Sequence, residues 1–275
     1  MWSAGFFFCC FIDRCVETRK KEVRMVRIAL IGYGRMGRMV EEIAQKKGHE
    51  ITAIVDPHCE GCLPDVTEET LGDAEVCIDF THPGAAVDNI RQMAALGRHI
   101  VVGTTGWYDR MDEVRRTVEA CEVGLIWSGN FSIGINAAFR ILEAAARIFN
   151  HLPDYDVLAH EYHHRNKADS PSGTAQMIGQ ILLDHIDRKS ALVHEILDRP
   201  IEPHELHFSS SRGGAIPGTH LVAFDSAVDT IEIRHTARSR EGFAVGAIMA
   251  AEFIQGRTGC YSIDDLMQDI IIKGE

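Results

Sequence analysis

The chemistry in this chain is concentrated in one stretch, Glu161-Tyr162-His163-His164-Arg165-Asn166-Lys167-Ala168-Asp169-Ser170-Pro171-Ser172-Gly173-Thr174-Ala175. Two imidazoles and two permanent cations fall between His163 and Lys167, and a helix opens directly afterwards. Pro171 and Gly173 suit a first helical turn, and Ser170 is placed to cap it. A helix start presents unpaired N–H groups and the positive end of the dipole, so it receives a carboxylate well. Arg165 and Lys167 would hold a second carboxylate, and a histidine can deliver a proton near neutral pH. These residue types describe a site for a small dianion with a proton donor beside it.

One competing signal overlaps this stretch. His160-Glu161-Tyr162-His163-His164 matches HExxH, which binds zinc when a helix brings its two histidines to one face. Here Tyr155–Ala159 reads as a strand and a polar loop with Pro171 follows, so the helical requirement fails and no metal is expected. A second pair, Cys59 and Cys62, forms a CxxC with no second CxxC after it. It reads as a loop with two small residues rather than a zinc or redox site.

The elements that must position these residues alternate in type. Val26–Ile31, Ile51–Val55, Val76–Phe80, Ile100–Val102 and Gly124–Trp127 are short apolar runs. Helical stretches cover Ala85–Leu96 and Met111–Ala120. That alternation predicts an α/β, Rossmann-type doubly wound parallel sheet. After Asn130 the pattern changes: a helix over Asn136–Phe149, the strand before His160, and a helix over Thr174–Asp187. Strand-like runs then follow at Leu206–Ser211, Thr219–Phe224 and Ile231–Thr236. This predicts a second α+β domain with a mixed sheet. Helices over Phe243–Gln255 and Ile263–Ile270 return to the first domain. The expected organisation is a leader over 1–24, a dinucleotide-binding domain over 25–130 and 240–275, and a substrate-binding and oligomerisation domain over 131–239.

Gly32-Tyr33-Gly34-Arg35-Met36-Gly37 is a G-x-G-x-x-G loop between a strand and a helix. The glycines permit a tight turn and close backbone approach to a pyrophosphate, which then meets the helix start. Asp56 closes the second strand, 19 residues after Gly37 (56 − 37). An acid there suits the ribose diol of NADH and repels the extra phosphate of NADPH, and no arginine follows it, since Pro57 and His58 come next. Gly103-Thr104-Thr105 and Ser128-Gly129-Asn130-Phe131 follow the fourth and fifth strands, at the edge where open α/β sheets bind ligands.

The chain has 275 residues, 45% of them hydrophobic, and a formal charge of −12. The acidic balance argues against nucleic-acid binding, which needs a basic footprint. Eight cysteines are too few for a disulfide scaffold, and the reducing cytoplasm is the expected compartment. Phe6–Ile12 is an apolar run of seven, well short of the roughly 20 residues a membrane span needs. No basic residue precedes it, as a signal peptide would require. Met25, immediately before the first strand, reads as the natural start.

Taken together the motifs GYGRMG (32–37), DFTHP (79–83), GTTGW (103–107), SGNFSIGIN (128–136), EYHHRNKADSPSGTA (161–175) and HTARSREGFAVGA (235–247) resemble, in order, those of the 4-hydroxy-tetrahydrodipicolinate reductases. The resemblance runs from Met25 to the C-terminus. It implies NADH- or NADPH-dependent reduction of a cyclic dicarboxylate in lysine and diaminopimelate biosynthesis, by a homotetramer joined through the second domain's sheet. His163 is similar to the family's general acid, Lys167 to its catalytic partner, and His164 to a neighbouring substrate contact. Gly173 and Thr174 match the carboxylate-binding helix start. Gly32 to Gly37, Asp56, Gly103 to Thr105 and Ser128 to Phe131 match the cofactor positions. The glycine loop is one residue shorter than in many members, and Asp56–Ala74 is brief. The readings that compete are a dehydrogenase of another small amino or keto acid and a non-catalytic NAD sensor. The first lacks a use for paired histidines followed by Lys167, and the second lacks a use for a proton donor.

Overall fold

A computed structural model describes residues 24–273. The expected leader lies outside these residues except for Arg24, which pairs with Glu75 at the surface.

The first sheet has six strands: β1 (Arg27–Ile31), β2 (Glu50–Val55), β3 (Val76–Asp79), β4 (His99–Val102), β5 (Gly124–Trp127) and β11 (Gly259–Ser262). Their order is β11-β5-β4-β3-β1-β2, and every pairing is parallel. The central strands are apolar along most of their length because both faces are covered. In β1, Ile28 and Leu30 join a core with α1 (Arg35–Lys46), α7 (Glu241–Ile254) and α8 (Ile263–Lys273). Ala29 and Ile31 point the other way, into a core with α2 (Glu68–Leu71), α3 (Pro83–Ala95) and α4 (Met111–Ala120). Side chains two residues apart share a face, so one apolar run serves both cores. β11 has no apolar run of its own, which is why its sequence, Gly259-Cys260-Tyr261-Ser262, gives no strand signal.

The second sheet comprises β6 (Asp156–His163), β7 (Ala191–Val193), β8 (Glu205–Arg212), β9 (Gly218–Asp225) and β10 (Thr230–Ala237). The order β10-β9-β6-β8-β7 is mixed: β6 is antiparallel to β9 and parallel to β8. One face packs on α5 (Ile133–Asn150) and α6 (Gly173–His185). Along β6, Val157, Ala159, Glu161 and His163 are buried, while Leu158 and Tyr162 are exposed. The strand therefore runs four residues beyond its expected end at Ala159. Its core-facing side changes from apolar to polar just where it reaches the site.

Candidate active site

The glycine loop lies between β1 and α1, next to the point where strand order reverses between β1 and β3. Gly32 has φ of 90°, and a Cβ there would stand 2.5 Å from the Phe80 carbonyl oxygen. Only glycine fits that turn. A Cβ at Gly34 would meet nothing within 4 Å, so the space above α1's start is open to a ligand. The α1 N-terminus carries no side-chain cap and no acidic residue in its first turn. Both observations fit a pyrophosphate held by backbone N–H groups. Arg35 is exposed beside this space, Met36 packs partly into the core, and Gly37 is buried.

Asp56 binds the loop itself. Its carboxylate accepts from the Tyr33 N–H at 2.7 Å and the His58 N–H at 2.8 Å. The Tyr33 hydrogen bond is the main reason its pKa lies below the ordinary carboxylate value, ahead of the opposing effect of burial. The expectation that no arginine stands near Asp56 is corrected by the fold. Arg38, one turn into α1, lies 4.3 Å over the Tyr33 ring and donates to Cys59 Sγ at 3.6 Å. The helix brings in a cation that chain order alone keeps 18 residues from Asp56 (56 − 38).

The other expected cofactor residues divide by what their side chains do. A Cβ at Gly103 would come 2.1 Å from the Phe80 ring, so glycine is required by packing. Thr104 is buried: its hydroxyl donates to Asp79 at 2.6 Å and accepts from the Thr81 N–H at 2.8 Å. Asp79 is fully buried, and burial pushes its pKa up against the hydrogen bonds from Thr104, Asn89 and Thr81. It organises this edge, and the sequence reading passed over it. Thr105 and Gly129 are exposed. Ser128 Oγ accepts from the Asn130 N–H, Asn130 Oδ1 accepts from the Ser132 N–H, and Asn136 donates to the Asn130 and Ser132 carbonyls. Phe131, by contrast, is 1% exposed, packs its ring in the first core and sets its carbonyl oxygen against Gly246 of α7, so it does not face the ligand space expected of it.

A cleft of about 850 Å³ joins that edge to the second sheet. Ser128, Gly129 and Asn130 line one side, and His163, His164, Lys167, Gly173 and Thr174 the other. Ser172, not Ser170, caps α6, accepting from the Ala175 N–H at 3.1 Å. A Cβ at Gly173 would meet nothing within 4 Å, so this helix start also faces open space. Lys167 Nζ donates to both carboxylate oxygens of Asp169, at 2.8 and 2.9 Å. Arg165 is exposed and does not line the cleft; the arginine that does is Arg240, while Arg212, from β8, pairs with the buried Glu161 behind it.

Glu161 is the residue that sequence reasoning missed. It is fully buried. Its Oε1 accepts from the Ser172 N–H (3.0 Å), Ser210 Oγ (2.7 Å) and Arg212 (2.8 Å), and its Oε2 from Ser172 Oγ. Burial pushes this carboxyl's pKa up, but His220, Ser172, Arg212 and Ser210 together outweigh it and hold the group ionised. His163 sits alongside, its Nε2 3.2 Å from Glu161 Oε2 but off the hydrogen-bonding direction, and neither ring nitrogen has a hydrogen-bond partner among the described residues. Burial is the main cause lowering the His163 pKa; Glu161 pulls it up, while His220, Lys167 and Arg212 push it down.

The HExxH residues do not converge. His160 faces the opposite side of the sheet, where its ring meets Ser209 at 2.5 Å and Ser211 at 3.1 Å. Glu161, His163 and His220 do approach one another within 4.8 Å. The carboxylate there is already taken by three neighbouring residues, with Arg212 and Lys167 adding fixed positive charge against a cation.

Comparison with known proteins settles the family. The profile "Dihydrodipicolinate reductase, N-terminus" matches residues 26–131, and "Dihydrodipicolinate reductase, C-terminus" matches 134–267. The chain belongs to the dihydrodipicolinate reductase family. It is 38% identical over 247 residues to the 4-hydroxy-tetrahydrodipicolinate reductase of Christiangramia forsetii, covering 89% of this chain and 99% of the relative. The reductase of Ralstonia pickettii is 33% identical, with 88% and 99% covered. Among solved structures, a dipicolinate-bound dihydrodipicolinate reductase from Paenisporosarcina sp. TG-14 shares the fold. Its TM-score is 0.70 at 21% identity, covering 86% of this chain and 97% of that one. Dihydrodipicolinate reductases are NAD(P)H-dependent oxidoreductases, and the open cradle above Gly34 fits that cofactor class.

Proposed function

We propose that the chain reduces 4-hydroxy-tetrahydrodipicolinate to tetrahydrodipicolinate, using NADH or NADPH, in lysine and diaminopimelate biosynthesis. The observation that carries this reading is the single cleft shared by Ser128–Asn130 and by His163, Lys167 and the α6 start. The glycine loop and the Gly103–Thr105 and Ser128–Asn130 turns would hold the cofactor, and Ser128–Asn130 line the same cleft as His163.

A bound dihydronicotinamide supplies hydride to the substrate's conjugated ring carbon. The Gly173 and Thr174 N–H groups hold one substrate carboxylate, and Lys167 holds the other after giving up Asp169. His164 contacts the ring from the same side. His163 donates the proton that completes the reduction. Its ring nitrogens have no hydrogen-bond partner among the described residues, and the residue lines the cleft wall. Gly218 leaves room for that ring, since a Cβ there would stand 2.9 Å from His163 Cε1.

Asp56 favours NADH, while Arg38 offers a cation to the 2′-phosphate of NADPH, so the preference is modest. Residues 25–130 with 240–275 act as the cofactor domain and 131–239 as the substrate domain. The substrate domain also assembles the homotetramer. Leu158 and Tyr162 are exposed on the face of the second sheet turned away from α5 and α6, which supports burial of that outer face between subunits. No described helix is long and apolar enough to cross a membrane; the formal charge of −12 supports a reading without nucleic acid, and the cytoplasm is the proposed compartment.

Calorimetric titration with pyridine-2,6-dicarboxylate in the presence of NADH tests the substrate class. Binding that weakens at least about tenfold in Lys167→Ala, the equivalent of about 1.4 kcal/mol, supports the assignment. Equal affinity in the variant removes the carboxylate clamp from the account.

A further inference from the structure

Four strands of the second sheet place a polar row across its core-facing side. Ser210 on β8 is in register with Glu161 on β6, Glu161 with His220 on β9, and His220 with His235 on β10. A buried carboxylate in such a row is costly unless paired and fully hydrogen-bonded. Glu161 meets that condition through partners 11 to 51 residues away in the chain. Two of its bonds go to Ser172, the residue that caps α6 and so sets where the Gly173 and Thr174 N–H groups point. Its Oε2 also stands nearest to the ring of His163.

The geometry points to Glu161 as a positioning residue of the reduction: one carboxylate fixes the carboxylate-binding start of α6 and holds the proton on His163. This deepens the reductase reading and rests on it. The groups facing His163 are Glu161 on its own strand, Lys167 on the following loop, Arg212 on β8 and His220 on β9. Glu161 is the anion among them. Without it, burial and three basic neighbours would strip the proton that the reaction consumes. Arg212 also donates to the Asp169 carbonyl at 2.8 Å. The loop that carries Lys167 is therefore tied to the same carboxylate.

Two substitutions with opposite signs test this in the full-length enzyme, with NADH binding and thermal melting as folding controls. A general acid works only while protonated, so kcat falls as pH rises through its pKa. In Glu161→Gln the falling limb of the kcat profile moves to lower pH by about one unit, and kcat at neutral pH drops about tenfold. In Arg212→Gln, where a cation is removed from the same carboxylate, the limb moves to higher pH. Either variant that folds decides the matter. A limb that stays in place while kcat falls equally at every pH makes Glu161 a purely structural residue and overturns the proposal. Should the wild-type enzyme itself fail to reduce the substrate while binding NADH, the reductase reading fails first.

Discussion

The ammonium of Lys167 is held by both carboxylate oxygens of Asp169, at 2.8 and 2.9 Å, on the rim of the substrate cleft. The cation proposed to bind a substrate carboxylate thus has an internal competitor. Asp169 is more than half exposed, and its carboxyl lies below its ordinary pKa first because of the Lys167 hydrogen bond. Exposed pairs of this kind contribute only about 0.2–1 kcal/mol. Asp169→Asn should therefore lower KM for the dicarboxylate by roughly 1.4- to 5-fold, the same energy range read as a ratio. Steady-state kinetics at fixed NADH measure it, and an increased KM would mean that Asp169 helps bind substrate.

His163→Ala should reduce kcat by about 10²–10⁴-fold, the usual contribution of a positioned proton donor. NADH affinity, read by nicotinamide fluorescence, should be unchanged. Because burial lowers the His163 pKa, kcat/KM of the wild type should decline with rising pH through a value below that of free imidazole. A bound dicarboxylate stabilises the imidazolium, so the limb in kcat should lie at higher pH than the limb in kcat/KM. Coincident limbs would remove the dianion's influence on His163.

Gly34 separates folding from cofactor binding. Its φ of −75° is open to alanine, and among the described residues nothing beyond its chain neighbours lies within 4 Å of a Cβ. Gly34→Ala should leave the melting temperature where it is and weaken dinucleotide binding by about tenfold or more, through loss of close backbone approach. Retained affinity would move the pyrophosphate elsewhere.

Ser172→Ala removes the α6 cap and one donor to a buried carboxylate. The cap is worth about 1 kcal/mol and the unsatisfied carboxylate about 1–3 kcal/mol, so stability should fall by roughly 2–4 kcal/mol. Chemical denaturation measures this, and a loss under about 0.5 kcal/mol, typical of an ordinary surface change, would contradict the bonding described.

Much of this was legible in the sequence because the signals were local. The strands of the first sheet are continuous apolar runs, and the glycine loop, His163, Lys167 and the α6 start lie in short motifs. What escaped was set by distance in the chain. Glu161 was read only as part of a zinc-like pattern, since its partners Ser210 and Arg212 arrive on β8 and His220 on β9. Asp79 lay inside the run Val76–Phe80 without a signal of its own, and its partners Thr104 and Asn89 reach it from other elements. Arg38 was invisible to an argument about Asp56's chain neighbours, because the turn of α1 carries it there. Ser170 and Ser172 are equally good caps by type, and only the bond from Ala175 distinguishes them.

The cleft between Asn130 and Lys167 is proposed to reduce a cyclic dicarboxylate. The most direct measurement is NADH oxidation at 340 nm (the absorbance band of the reduced nicotinamide), with substrate generated in situ from pyruvate and aspartate semialdehyde by a coupled synthase. Rapid oxidation that is lost in Lys167→Ala is the result expected here. No oxidation with either NADH or NADPH, by enzyme that binds the cofactor tightly, would contradict it and return the weight to a dehydrogenase of another small acid or a cofactor sensor.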